Sequence, residues 1–219
     1  MPRPTREQRI ATHQPNHIVL RGNNRRRLFS YSRDYLFFIG LMCADVERSN
    51  VSAHALCLMP NHVHLLATPF KSDSFERFVK RVAQRYAQVR NGRYGTTGKL
   101  FEQRYYSKPM KSEAQLAIVT AYIDLNPVRA HLVEDGNDYA WSTHRIHSGL
   151  SCLTPGLKKL WSPTDWYLRL GPEPAEREEV YRDWISECRD RDNWDEIRKD
   201  PPSPKGGAPT RPNRSRAAG

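Results

Sequence analysis

Four residues carry the first chemical suggestion. His62 and His64 flank Val63 in a segment whose composition suits a β-strand. Side chains alternate along a strand, so both imidazoles point to one face while Val63, Leu65 and Ala67 point to the other. Two imidazoles on one face can hold one divalent cation. Tyr122 and Asn126 lie four residues apart, about one helical turn, and so share a helix face. A phenol with an ordinary pKa of ~10 is a poor nucleophile without a metal or a base beside it. An amide oxygen one turn away could complete a His-His-amide ligand set. Each half has a plainer reading. A strand histidine pair can be surface or hydrogen-bonded core, and a tyrosine before Asn-Pro can be a core aromatic near a helix end. Cys57 is close in sequence, but Cys-x4-His-x-His is not a common zinc spacing, and a small buried residue explains it more simply. Together the four residues suit phosphodiester transfer, in which a cation polarises the phosphate and the tyrosine attacks in line.

The charge distribution points the same way. Among 219 residues there are 35 Lys and Arg against 24 Asp and Glu, a net charge of +11 with His neutral. Residues 71–111 hold eleven basic and three acidic residues, and residues 1–48 hold nine and four. Residues 173–200 reverse the sign, with six basic against eleven acidic. The middle of the chain is therefore where a polyanion would dock. Arg21, Asn23 and Asn24 can offer edges to unpaired bases, whereas Arg25, Arg26 and Arg27 suit phosphates. A second mixed run holds Arg104, Tyr105, Tyr106 and Lys108; either tyrosine could stack on a base or sit in the sheet.

These residues need elements to position them. His17–Leu20 reads as a first strand, ended by Gly22-Asn23-Asn24. A helix follows from about Arg33, with Leu36, Ile39 and Met42 near a 3.6 period. Ala55–Met59 and His62–Ala67 form a hairpin about Pro60-Asn61. Ser72 or Ser74 caps a second helix whose Phe75, Phe78, Val79, Val82 and Tyr86 share a face. Asn91-Gly92 and Gly95–Gly98 form a loop, and Leu100–Met110 is extended. Ser112 caps a third helix, which Pro127 stops or kinks near Asn126. The order is βαββαβ plus a helix. It predicts an α+β, ferredoxin-like (RRM-like) antiparallel sheet with two helices on one face. No internal repeat is visible.

The motifs carry a resemblance. Leu58–Leu66, Leu-Met-Pro-Asn-His-Val-His-Leu-Leu, resembles the His-hydrophobe-His (HUH) segment of single-tyrosine transposases. Tyr122–Ala130, Tyr-Ile-Asp-Leu-Asn-Pro-Val-Arg-Ala, resembles the tyrosine helix of their branch associated with repetitive extragenic palindromes (REP). Arg21–Arg25 and Tyr139–Ser142 resemble two further blocks of that branch, in the same order, over about residues 15–145. The resemblance implies a bacterial enzyme that nicks single-stranded DNA at hairpins and transfers the strand. It implies Tyr122 as nucleophile, forming a 5′-phosphotyrosine link and releasing a 3′-hydroxyl. It implies His62, His64 and Asn126 as ligands of Mg²⁺ or Mn²⁺; Asn126 stands where insertion-sequence relatives have the longer Gln. One departure is His131, where the branch commonly has Gly. A different class of function also uses such a surface: a DNA or RNA hairpin-binding protein or regulator without catalysis.

The remaining expectations concern organisation. Residues 1–150 read as the catalytic domain, 151–200 as an accessory region with an acidic helix over 175–199, and 201–219 as a disordered basic tail rich in Pro and Gly. Cys43, Cys57, Cys152 and Cys188 form no CxxC pair, which favours reduced thiols over a disulfide or zinc scaffold. No apolar run approaches the ~18 residues of a membrane helix, and the basic N-terminus lacks an apolar signal-peptide core. A cytoplasmic, nucleoid-associated protein is expected. No extra apolar stripe suggests a dimer, so a monomer is favoured, with a dimer left open.

Overall fold

The computed structural model describes residues 10–102 and 104–189. The first nine residues, the far end of the acidic segment and the basic tail lie outside the described residues. Strands β1 (Asn16–Arg21), β2 (Val51–Met59), β3 (His62–Pro69) and β4 (Tyr106–Pro109) alternate with helices α1 (Ser32–Asp45) and α2 (Ser74–Tyr94). Helix α3 (Glu113–Arg129) follows β4. The strand order is β2-β3-β1-β4 and every pairing is antiparallel. This is the expected ferredoxin-like arrangement with its extra helix.

Strand alternation divides the core in two. Ile18, Leu20, Leu56, Leu58, Val63 and Leu65 face α1 and α2, where Phe38, Met42, Phe75, Val82 and Tyr86 meet them. Ala55, Cys57, Met59 and Leu66 face α3, where Leu116, Val119 and Ile123 meet them. A fully buried Phe such as Phe38 or Phe75 contributes about 1.5–3 kcal/mol through the area it removes from water. Both faces are covered, so β2 and β3 are buried along nearly their whole length.

Several boundaries differ from the sequence expectation. Helix α2 runs through Asn91-Gly92 and stops at Gly95, whose φ of 59° supplies the left-handed stop. A glycine inside a helix costs only about 1 kcal/mol. That cost is offset here because Arg93 and the Tyr94 hydroxyl both reach the buried Asp34 carboxylate, at 2.8 and 2.7 Å. The residue at the N-cap of α2 is Asp73, not Ser72 or Ser74; the Ser74 hydroxyl instead accepts from the Lys71 N–H. Ser112 does cap α3, accepting from the Gln115 N–H. Strand β2 begins at Val51, with a register shift between Ala53 and Ala55. Strand β4 is shorter than the expected extended run; before it, Phe101 makes a single bridge to Gly22.

Helix α3 passes Pro127 and ends two residues later. A proline in the last turn removes one hydrogen bond rather than the helix. The end is a Schellman motif: the Leu132 N–H donates to the Pro127 carbonyl and the His131 N–H to that of Val128.

The block Tyr139–Ser142 lies along the outer edge of β2. The Leu58 N–H donates to the Trp141 carbonyl, the Thr143 N–H donates to that of Leu56, and the Tyr139 hydroxyl donates to that of Leu58. It covers the backbone groups that an edge strand would otherwise leave unpaired. Beyond it come α4 (His144–His147), α5 (Pro155–Leu160), α6 (Asp165–Leu168) and α7 (Pro174–Arg189). Helix α7 is the acidic helix of the sequence. All four cysteines are free thiols. Among the described residues no helix is long and apolar enough to cross a membrane.

Candidate active site

The sheet register sets the site. In the β1–β3 pairing Arg21 stands opposite His62 and Val19 opposite His64. His62 and His64 share the face that α3 covers, as alternation predicts, and their ring centroids are 4.8 Å apart. The Tyr122 ring stands edge-on to His64, 5.4 Å between centroids. Asn126 is one turn further along α3, and its side-chain amide N–H donates to the Tyr122 carbonyl at 2.7 Å. Its Oδ1 is the other polar atom of that amide. The structure thus brings the two histidines and the tyrosine together, with the asparagine on the next turn of the helix.

A cavity of ≈ 360 Å³ opens beside these residues, lined by His17, His64 and Tyr122 with Arg21, Arg104, Tyr106 and Lys108 among others. Three of the basic residues singled out in the sequence therefore line one concavity with the tyrosine. Asn23, Asn24, Arg25, Arg26 and Arg27 do not line it. They form the turn beyond β1, where Asn24 and Arg25 both adopt left-handed backbone, φ 52° and 58°. A side chain at Gly22 would collide with the Arg26 carbonyl, since a β-carbon there would lie 2.1 Å from that oxygen. The Gly22 N–H donates to the Asn61 carbonyl and the Leu28 N–H to that of Pro60. The basic turn is thus fixed to the hairpin turn that leads into His62. Buried Arg90 secures it from α2, donating to the Arg27 and Leu28 carbonyls.

The site contains residues that sequence reasoning missed. His17 of β1 lies against His64, with His17 Nε2 3.0 Å from His64 Nδ1 and the rings stacked at 5.2 Å. Its ring is also 6.0 Å from that of Tyr122. Only the strand order puts residues 17 and 64 side by side, so no local pattern marks the pair. The Arg129 guanidinium lies 5.3 Å from the centroid of the Tyr122 ring, a cation–π contact. The spacing of seven residues, two helical turns, could have signalled that one.

Asp124, two residues past Tyr122, is the joint between α3 and the C-terminal helices. Its fully buried carboxylate accepts from His147 Nδ1 at 2.6 Å, the Tyr181 hydroxyl at 2.7 Å and the Thr143 hydroxyl at 3.2 Å. Trp161 Nε1 donates to the other ring nitrogen of His147. Burial works to raise the Asp124 pKa, but His147 and His144 beside it and the hydrogen bonds to His147 and Tyr181 outweigh it, holding the carboxyl below its ordinary range. Burial, reinforced by Asp124, pushes the Tyr181 hydroxyl well above the ordinary tyrosine value. Helix α7 packs against α3, and among the described residues none of α7 lines the cavity.

Among the described residues no group of three or more His, Cys, Asp and Glu converges as a metal cage. His62 and His64 would need a donor of another kind, which is what an asparagine on α3 can offer.

In fold the chain is similar to a REP-associated tyrosine transposase solved bound to a REP hairpin. The TM-score is 0.58 at 15% identity, covering 75% of this chain and 93% of the other. A proposed transposase from Deinococcus radiodurans R1 is a weaker likeness. Its TM-score is 0.38 at 20% identity, covering 57% of this chain and 96% of that one, too low to bear on the argument. No protein of curated function matches significantly. Residues 11–126, more than half of the sequence and the whole stretch from before β1 to Asn126, match the family described as IS200-like transposase. The chain belongs to the IS200-like transposase family.

Proposed function

We propose that the chain nicks single-stranded DNA beside palindromic hairpins and transfers the strand through a 5′-phosphotyrosine at Tyr122, as a member of the REP-associated branch. The observation that carries this reading is Tyr122 edge-on to His64 inside a cavity lined by Arg21, Arg104 and Lys108. The Tyr122 oxygen forms a bond to phosphorus while the bond to the 3′ oxygen breaks. The phenol proton leaves, and the 3′ oxygen ends as a hydroxyl. The bond energy is kept in the phosphotyrosine, so the strand can be rejoined without another energy source. Arg104 and Lys108 hold backbone phosphates at the cavity, Arg21 beside them offers its guanidinium edge to an unpaired base, and Arg25, Arg26 and Arg27 of the turn beyond β1 take further phosphates. The hairpin is the partner suggested by the REP hairpin bound to the structural relative.

The reading calls for Mg²⁺ or Mn²⁺, with the Asn126 amide oxygen and the DNA phosphate as the oxygen donors beside the two imidazoles. His62 Nδ1 lies 2.6 Å from Asn61 Oδ1, so Nδ1 carries the proton and Nε2 presents the lone pair. A set of two imidazoles and one amide oxygen leaves positions for phosphate oxygens. Held by His62, His64 and Asn126, the cation would supply Lewis-acid polarisation of the scissile phosphate. A monomer is the assembly this reading takes, with a dimer left open. Residues 1–150 then form the catalytic domain and 151–200 an accessory region, of which Trp161 and Tyr181 brace the tyrosine helix.

The test incubates labelled single-stranded hairpins, taken from repeats beside the protein's own gene, with Mn²⁺ or Mg²⁺. Wild type is compared with Tyr122→Phe on a denaturing gel. A protein-linked DNA band that disappears in the variant is expected. A cut that persists in the variant would make water the nucleophile. Hairpin binding with neither cut nor linked band would favour a binding protein.

A further inference from the structure

We propose that His17 is a positioning residue for His64, selecting the tautomer that can take a cation; this rests on the metal role proposed for His64. His64 is 3% exposed, so its ring nitrogens must find partners within the protein rather than in bulk water. Its Nδ1 lies 3.0 Å from His17 Nε2, a hydrogen-bond distance. Between two neutral imidazoles such a bond holds one proton. If His17 donates, the His64 proton sits on Nε2 and no lone pair faces a cation there. If His64 donates from Nδ1, the lone pair is on Nε2, where a cation can take it. In the proposed arrangement His17 is the acceptor, which selects the second case.

The neighbouring histidine has the same arrangement. Asn61 Oδ1 lies 2.6 Å from His62 Nδ1 and can only accept. Both candidate ligands therefore meet an outer partner at Nδ1, Asn61 for one and His17 for the other. Outer partners of this kind commonly orient metal-binding imidazoles and raise their basicity. His17 is itself held in place. It stacks on His64 with 24° between ring planes and meets the edges of Tyr106 and Tyr122 at 6.4 and 6.0 Å. A direct role as third ligand is disfavoured, because among the described residues no three such side chains converge on one point.

Mn²⁺ binding to the full chain, followed by the electron paramagnetic resonance signal of the free ion, tests this without relying on cleavage. Wild type, His17→Ala, His17→Gln and His64→Ala are compared, with thermal melting to verify folding. His17→Ala should weaken Mn²⁺ binding by about 10–100-fold, the usual effect of losing such a partner. His17→Gln keeps an accepting oxygen and should restore binding to within a few-fold of wild type. Cleavage by His17→Ala should recover as Mn²⁺ is raised, because affinity rather than chemistry is lost. Unchanged binding in His17→Ala, with binding lost in His64→Ala, would overturn the role of His17 alone. A His17→Gln as weak as His17→Ala would overturn it too, in favour of direct ligation. Equal binding by wild type and His64→Ala would overturn the metal reading itself, and this proposal with it.

Discussion

His131 shows how one residue's backbone can explain a departure in sequence. It occupies the position after the α3 cap with φ 53°, exposed to solvent, in the left-handed region. A β-carbon there costs about 1–2 kcal/mol relative to right-handed backbone, a cost glycine avoids. This is the position at which the REP-associated branch commonly has glycine, so the histidine departs from a structural preference rather than from a chemical one. His131→Gly should stabilise the protein by about 0.5–1 kcal/mol after allowance for the freer unfolded chain. Thermal unfolding should rise by roughly 2 °C for a chain of this size; an unchanged or lower midpoint would show that the imidazole makes a compensating contact. At this scale the sequence was readable where geometry is local. Alternation along β3 put His62 and His64 on one face, and helical spacing put Asn126 one turn from Tyr122. His17 escaped because its partner is 47 residues away on another strand.

At the scale of elements, the joint at Asp124 determines how firmly α3 is held. The helix contacts the sheet on one side and α7 on the other, and the carboxylate anchors it to α4 and α7. Tyr181→Phe keeps the ring and removes one hydrogen bond to a buried charge. It should cost about 1.5–3 kcal/mol, read as a lower denaturant midpoint with an unchanged slope; a loss under 0.5 kcal/mol would mean that His147 and Thr143 satisfy the carboxylate alone. Asp124 was visible in the sequence only as one residue of the tyrosine motif. Its partners lie 19–57 residues further on, where the sequence marked little beyond an accessory region with an acidic helix. The misplaced boundaries have a similar origin. Glycine at position 92 looked like a loop because the contacts of Arg93 and Tyr94 to Asp34 cannot be seen locally.

For the whole molecule, two buried histidines set the response to acid. Burial pushes His54 below its ordinary value of 6.5, against the hydrogen bond to the Ser162 carbonyl. Burial does the same to His144, against the pull of nearby Asp124. Below pH 6.5 the unfolded chain takes up protons that the folded chain resists, so stability is fully present above that pH and is lost as pH falls towards the folded values. The melting temperature should therefore drop between pH 7.5 and 5.5; a level or rising profile would mean that the folded protein protonates these rings and pairs them. The sheet order was readable from the βαββαβ sequence because each strand and helix carries its own period. The bracing by residues 151–189 was not, because it rests on buried polar contacts. That bracing bears on how DNA strands would change partners. On the function proposed above, a DNA end attached to Tyr122 would sit two residues from a bolted carboxylate, and the protein would act as a fixed jaw that keeps the end where it was cut. The incoming strand would then have to travel to it, and exchange would be limited by the mobility of the DNA rather than by a swing of the helix.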